Sequence, residues 1–344
     1  MTETVRSWVA GRVGRVELDR QQALNALDLT MIRALRRALD AWREDPAVEA
    51  VVVTGAGRAF CAGGDVRGVR GVREQVLAGE AAEAEQFFVE EYALNAAIAC
   101  YPKPYVAILD GVAMGGGLGV SVHGSVRVAT ERAVLAMPET AIGFAPDVGT
   151  SHVLPRLPGA LGFAMALAGV RLDAPDALES GLATHYTDSA DVPDLLDRLE
   201  QHGLSALETV TGRPAGAGSL APVGDVIAHA FSAPSVETVF ARLDHDADDG
   251  GPAGEWAAAT AASLRTMSPT SLVTAHELLG AGATSSLAAC LERERRAAHW
   301  LIGRHDFAEG VRAVLVDKDR TPAWSPATLS EVDTAEIRDV LTTG

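Results

Sequence analysis

The sequence predicts an α/β protein, with a core of repeated strand–strand–helix units followed by a helical C-terminal region. Three observations carry this. Short apolar runs closed by glycine turns recur through roughly the first 190 residues. Between them lie stretches whose apolar residues fall at helical spacing. From residue 255 to about 309 the pattern is almost entirely helical. Alternation of strand and helix favours an α/β core over a sandwich or a bundle.

The first element reads as a hairpin: Trp8-Val9-Ala10 and Arg15-Val16-Glu17-Leu18-Asp19 flank the turn signal Gly11-Arg12-Val13-Gly14. Over residues 28–42, Met31, Ile32, Leu35, Leu39 and Trp42 repeat as one face of a helix. Ala50-Val51-Val52-Val53-Thr54, ended by Gly55-Ala56-Gly57, reads as a buried strand. A long helical pattern covers 74–99 and stops before Pro102. Tyr105-Val106-Ala107-Ile108-Leu109 is a second buried strand, and residues 125–136 read as two short strands around Thr130-Glu131-Arg132. Loop signals then appear at 211–218 and 244–252. In the C-terminal region Leu287, Cys290, Leu291, Ala297, Ala298 and Leu301 share a helix face, with Glu292 and Arg296 spaced to pair at i, i+4. The domain division is therefore a catalytic core over 1–205, a loop-rich segment over 206–260 and a helical region over 261–344.

Composition excludes several classes. A formal net charge of −17 disfavours a nucleic-acid binder, which more often carries a basic face. No run approaches the roughly 18 apolar residues that span a bilayer. The N-terminus shows no basic segment followed by an apolar one, so no secretory signal is read. Cys61, Cys100 and Cys290 are widely spaced and read as reduced thiols, which points to the cytoplasm. The histidines show no ligand spacing, so no metal is expected. Lysine occurs only at Lys103 and Lys318, so a phosphate clamp here would depend on arginine.

The chemistry concentrates in three places. The segment 136–149 sets Glu139 and Asp147 in an almost uncharged, Gly/Pro-punctuated stretch. Upstream lie two glycine clusters, Cys61-Ala62-Gly63-Gly64-Asp65 and Met114-Gly115-Gly116-Gly117, each after a predicted buried strand. Neither fits a dinucleotide fingerprint, and no Walker-type loop is present. Glycines that bring backbone N–H groups close to a ligand, beside carboxylates in an apolar setting, suit acyl transfer through an oxyanion hole. Taken alone, the same glycines read more simply as two tight turns.

Further motifs complete a resemblance. They are Ala23-Leu24-Asn25-Ala26-Leu27, Arg58-Ala59-Phe60-Cys61-Ala62-Gly63-Gly64-Asp65-Val66-Arg67 and Glu90-Glu91-Tyr92-Ala93-Leu94-Asn95. With them come 114–124, Met137-Pro138-Glu139-Thr140-Ala141-Ile142-Gly143, Pro146-Asp147-Val148-Gly149, and the C-terminal runs 305–313 and 316–319. Each is weak alone, but their order and number are specific and span almost the whole chain. The chain resembles the crotonase (enoyl-CoA hydratase/isomerase) superfamily, and within it the 3-hydroxyisobutyryl-CoA hydrolase branch.

The resemblance implies a crotonase-like acyl-CoA-binding core. It implies an oxyanion hole from the Gly64 and Gly116 N–H groups, Glu139 as the main catalytic carboxylate and Asp147 beside the reacting centre. Glu91, Gly116, Glu139 and Asp147 would contact the substrate, and Ala23, Leu24, Ala62 and Asp65 would hold the CoA moiety. No cofactor is implied, because CoA is part of the substrate. Superfamily members commonly form trimers, so a homo-oligomer is allowed for. One departure concerns the phosphates: Gln21 and Gln22 stand where the family often has a basic residue, which leaves Arg20 or Arg58 for that contact.

One position separates the reactions of the superfamily. Hydratases resemble one another in placing a glutamate two residues after the triple glycine; here that residue is Gly119. Hydration needs two acid/base groups around one water. This chain lacks one of the usual pair and has Asp147 where hydratases usually carry glycine. The expectation is therefore hydrolysis of a small hydroxyacyl-CoA, in valine breakdown, with Glu139 as nucleophile through a mixed anhydride or as general base on water. The alternatives are another crotonase-type reaction, such as hydration or decarboxylation, or a silent CoA-ligand binding protein. Simpler roles stand beside these: Glu139 as a helix-start acid, Asp147 as a turn former, Glu91 as a solvated acid. Cys61 reads as a small buried residue rather than a nucleophile. His123, His152, Trp300 and Phe307 read as packing or surface residues.

Overall fold

The structure, a computed structural model, describes residues 4–65 and 82–342, of which 82–84 are described by their backbone only. It divides into two compact units: Met1–Gly64, Glu90–Ala136 and Arg171–Ser219 form one, and Asp65–Val89, Met137–Val170 and Leu220–Gly344 form the other.

The first unit carries the nine strands of the two sheets: β1 (Val5–Ala10), β2 (Val13–Leu18), β3 (Ala50–Gly55), β4 (Ala59–Cys61), β5 (Tyr105–Leu109), β6 (Val112–Met114), β7 (Val126–Ala129), β8 (Val134–Ala136) and β9 (His185–Tyr186). β1 and β2 form the expected antiparallel hairpin. From β3 on, consecutive strands alternate between sheets. The larger sheet runs β1-β2-β3-β5-β7-β9 and the smaller β4-β6-β8. Apart from the hairpin, every pairing is parallel. Parallel strands covered on both faces need continuous apolar runs, and β3 and β5 supply them, buried along nearly their whole length. The switch from the larger sheet to the smaller takes only a few residues each time, and at β5–β6 it depends on Gly111. Its φ is +108°, and a Cβ there would run into the Arg58 carbonyl oxygen.

Helix Leu29–Trp42 begins where Asp28 accepts the Met31 N–H at 2.8 Å as its N-cap. Helix Val192–His202 lays Val192, Leu195 and Leu199 against Val13, Val52, Val106, Ile108 and Val128, which makes the core of the larger sheet. The helix expected over 74–99 is present as Ala82–Ala99, and its part at 74–81 lies outside the described residues.

The second unit is described as helices and turns. Its longer helices are Val236–Ala247, Gly251–Leu264, Pro269–Gly282 and Leu287–Ile302, followed by His305–Val311 and Thr334–Thr342. Three expectations are corrected here. The segment 206–260, read as loop-rich, holds helices Gly224–Phe231, Val236–Ala247 and the start of Gly251–Leu264. The acidic run from Asp244 lies in the last turn of one of them, where Ser235 caps the start and buried Val239 and Leu243 set the face. The compact units also interleave along the chain rather than meeting at 205. Finally, Glu292 pairs with Arg295 at 2.8 Å, one residue short of the expected Arg296.

Candidate active site

In the first unit the two glycine clusters come together. Leu27 N–H donates to Gly63 O at 2.8 Å and Ala62 N–H to Leu24 O at 3.0 Å, which lays the Ala23–Leu27 segment along the first cluster. Asn25 is fully buried and fixes that segment: its amide donates to Ala56 O at 2.9 Å and Ala59 O at 2.8 Å, and its Oδ1 accepts the Arg20 N–H at 2.8 Å. Leu24 and Asn25 are left-handed, with φ of 52° and 59°. Thus Ala23, Leu24 and Ala62, three of the residues expected at CoA, form one partly exposed ledge. Asp65 follows Gly64 in the chain and is half-buried.

The second cluster is a single helical turn, Gly116–Gly119, buried throughout. The turn starts on the glycines themselves. A Cβ on Gly116 would stand 3.2 Å from the Gly64 nitrogen and 2.6 Å from Glu91 Oε1. A Cβ on Gly117 would meet the Cys61 carbonyl oxygen. The two backbones therefore approach at a distance only glycine permits. Among the described residues, neither the Gly64 nor the Gly116 N–H donates one of the turn and loop hydrogen bonds. Gly116 opens its helical turn, where the N–H has no acceptor within the turn. Glu91 is 2% exposed, so its reading as a solvated surface acid fails. Cys61 is buried, its thiol lies 3.6 Å from Gly63 O, and burial pushes it up to about 12. It is no thiolate at neutral pH, in line with the packing role read from sequence. Arg20 is engaged with Ala26 O at 3.0 Å and Asp28 at 3.8 Å, whereas Arg58 is exposed.

In the second unit Glu139 and Asp147 come together. Glu139 opens the short 3-10 turn Glu139–Ile142, closed by Gly143. The turn is braced from the C-terminal region: a Cβ on Gly143 would meet the Asp306 carbonyl, and one on Gly310 the Ile142 backbone. Asp306 itself is buried and accepts Ser268 Oγ–H at 2.6 Å and Ser325 N–H at 2.7 Å. The C-terminal run 305–313 thus earns its place as a support for Glu139, with Phe307 against Phe144 at 5.5 Å. Glu139 is buried, and its Oε2 has no hydrogen-bond partner among the described residues. Burial, and secondly the charge of Asp147, push its carboxyl up to about 8. Asp147 is equally buried, in a turn closed by Thr150 N–H and Oγ1–H, at 2.9 and 2.6 Å on the Asp147 carbonyl.

Sequence reasoning missed a third carboxyl. Glu294, from helix Leu287–Ile302, is 1% exposed and accepts Gly149 N–H at 2.6 Å and Ser151 N–H at 2.9 Å. Burial first, and then the charge of Asp147, push its carboxyl up to about 8, against the lowering effect of its hydrogen bonds to Ser151 and Gly149. The only sequence signal was an acid at a position on the helix flanked by the apolar Leu291, Ala297 and Ala298. His152 is held by Ser285 O at 3.1 Å and its pKa is lowered by burial, a packing role as read. Among the described residues no cluster of His, Cys, Asp or Glu is placed to hold a metal ion.

A core whose strands alternate between two sheets, with two glycine turns packed together in one unit and the buried carboxyls Glu139 and Asp147 in the other, has the layout of the crotonase fold. The enoyl-CoA hydratase/isomerase family profile matches residues 13–341, and the chain belongs to that family. A mitochondrial 3-hydroxyisobutyryl-CoA hydrolase of Xenopus tropicalis is 43% identical over 94% of this chain and 84% of its own length. The protein of the same name from Homo sapiens is 39% identical over 96% and 86%. Among solved structures, a carnitinyl-CoA dehydratase from Mycobacterium thermoresistibile has a TM-score of 0.91 at 37% identity, covering 100% of this chain and 97% of that one. An enoyl-CoA hydratase from Rhodobacter sphaeroides has a TM-score of 0.89 at 36% identity, covering 99% and 97%. The named hydrolases are mitochondrial, which does not support the expected cytoplasmic location. No helix among the described residues is long and apolar enough to cross a membrane.

Proposed function

We propose that this protein hydrolyses 3-hydroxyisobutyryl-CoA to 3-hydroxyisobutyrate and CoA, a step of valine breakdown. The observation that carries the reading is the pairing of Glu139 with Asp147: both are buried, and the charge of one raises the other. Gly119, where a hydratase would place its second glutamate, is a buried glycine inside a helical turn. The curated hydrolases at about 40% identity over most of the chain support the same reaction.

In the proposed chemistry the Gly64 and Gly116 N–H groups donate to the thioester oxygen as it takes up negative charge. Glu139 acts by one of two routes. As nucleophile, its carboxylate oxygen bonds the carbonyl carbon, the C–S bond breaks, and the thiolate leaves and takes a proton. Water then opens the mixed anhydride and restores Glu139. As general base, Glu139 takes a proton from water, whose oxygen bonds the carbonyl carbon; the C–S bond then breaks, and the thiolate leaves with the proton that Glu139 took. Asp147 and Glu91 are proposed to receive the substrate hydroxyl. Ala23, Leu24, Ala62 and Asp65 are proposed to hold CoA, which is substrate and not cofactor, with Arg58 on its phosphates. A homo-oligomer and a cytoplasmic location belong to the proposal too, the latter against the mitochondrial naming of the relatives.

A second reading has its own support, since the two solved relatives above are named a dehydratase and a hydratase. One experiment separates them. The purified protein is given 3-hydroxyisobutyryl-CoA and crotonyl-CoA, with free thiol followed alongside enoyl absorbance. Thiol release from the first substrate that collapses in E139Q supports hydrolysis. Loss of crotonyl-CoA absorbance without thiol release overturns it in favour of hydration. Binding without turnover of either would leave a silent acyl-CoA receptor.

A further inference from the structure

The turn that carries Asp147 is strained. Val148 has φ of 53° and Gly149 of 80°, two successive residues in the left-handed region. Glycine accepts that conformation, but a β-branched residue there is an outlier that persists only where its surroundings hold it. Thr150 donates twice to the Asp147 carbonyl, which ties down the peptide before Val148 but leaves the N–H groups beyond it.

Glu294 takes those. Its Oε2 accepts the Gly149 N–H and its Oε1 the Ser151 N–H, each carboxyl oxygen holding one backbone donor. It reaches this turn across 145 and 143 residues of chain, from a helix whose facing residues Cys290, Ala297 and Ala298 are buried. Each oxygen of the carboxyl group accepts one backbone N–H, an arrangement that an amide, whose nitrogen only donates, does not reproduce.

We infer that Glu294 is a positioning residue of the reaction: by holding the Gly149 and Ser151 N–H groups it locks the left-handed Val148–Gly149 turn and so sets the direction in which Asp147 presents its carboxyl. The inference rests on Asp147 taking part in the reaction proposed above. Glu294 acts through the backbone of that turn and is not assigned contact with substrate.

A residue that acts only through Asp147 loses its effect once Asp147 is disabled. The test is a double-mutant cycle of E294Q and D147N, read as thiol release from 3-hydroxyisobutyryl-CoA. E294Q is expected to lower kcat/KM by about tenfold or more in the wild-type background and by about twofold or less beside D147N. An equal loss in both backgrounds, or none in either, overturns the inference. Should E294Q not fold, E294D keeps both acceptor oxygens on a shorter stem and goes through the same cycle. A crystal structure of the variant supplies a readout that needs no turnover: Val148 is expected to leave the left-handed region, and its staying there with Asp147 unmoved overturns the inference. Absence of thiol release from wild-type protein would sink the hydrolase reading alone, and the crystal structure would still decide the role of Glu294.

Discussion

Gly116 approaches Gly64 so closely that a Cβ on it would stand 3.2 Å from the Gly64 nitrogen, and 2.6 Å from Glu91 Oε1. The two glycine backbones thereby lie side by side, with the end of the Glu91 side chain against Gly116. Gly116→Ala keeps the N–H but its Cβ pushes the two turns apart, so the proposed donor is misplaced and kcat is expected to fall towards the loss of one oxyanion donor, about 100-fold. Its melting temperature should change little, because Glu91 is a side chain that can give way. Thiol-release kinetics beside a thermal melt check this, and an unchanged kcat would remove Gly116 from the reaction.

Gly117 should behave differently. Its Cβ would meet the Cys61 carbonyl, which is backbone and cannot turn aside. Gly117→Ala is expected to lose about 1–3 kcal/mol of stability or to fail to fold. Denaturant unfolding measures it.

Glu139 gives stability a pH dependence of known sign. Its carboxyl stands at about 8 in the folded protein against 4.5 ordinarily. Between those values the folded state keeps a proton that the unfolded state releases, so stability falls as pH rises through this window. Glu139→Gln removes that contribution. The variant should gain on the wild type progressively across the window and hold a constant margin above it. A slope should remain in the variant, because Glu294 also stands at about 8. Urea unfolding at several pH values is the check, and a margin that shrinks with rising pH would contradict the burial of Glu139.

Activity should follow the same carboxyl. Both proposed routes need Glu139 ionised, so kcat/KM should rise with pH on a limb near 8. Asp147 is the second cause of the raised value, after burial. Asp147→Asn should therefore move the limb to lower pH while lowering the rate. The pH profile of thiol release decides it; a limb that stays in place would mean that Glu139 is governed by burial alone.

The cysteines give a test of burial near the first glycine cluster. Cys100 is exposed, whereas Cys61 and Cys290 are buried, and Cys61 is held protonated up to about 12. A thiol-specific reagent should label Cys100 in the folded protein and all three after denaturation. Cys61→Ala should keep thiol-release activity within about twofold, since a protonated buried thiol is no nucleophile. Loss of turnover on labelling of Cys61 in folded protein would return it to the list of catalytic candidates.

The sequence by itself determined the elements whose signals are local. The apolar runs at 50–54 and 105–109 could only be buried strands, and the spacing over 29–42 and 287–302 could only put one face of a helix inward. The motif order around Gly64, Gly116, Glu139 and Asp147 placed the family for the same reason, since residue type at a given step along the chain is written in the sequence. The tertiary structure decided what depends on residues distant in the chain. Sheet partners are one case: β4, β6 and β8 leave their neighbours to form a second sheet, and pairing across more than twenty residues carries no local mark. Burial is another. Glu91 on its helix reads as a surface acid until the turn of Gly116 is seen against it. The acidic run from Asp244 reads as a loop because its composition is polar, yet buried Val239 and Leu243 on the preceding turns hold it in a helix. Glu294 is the plainest case. Nothing within 140 residues of Asp147 hints that this helix acid will take the two N–H groups beyond it. Local pattern fixes which residues form an element, but a buried charge and a strained turn are set by whatever the folded chain brings to them from elsewhere.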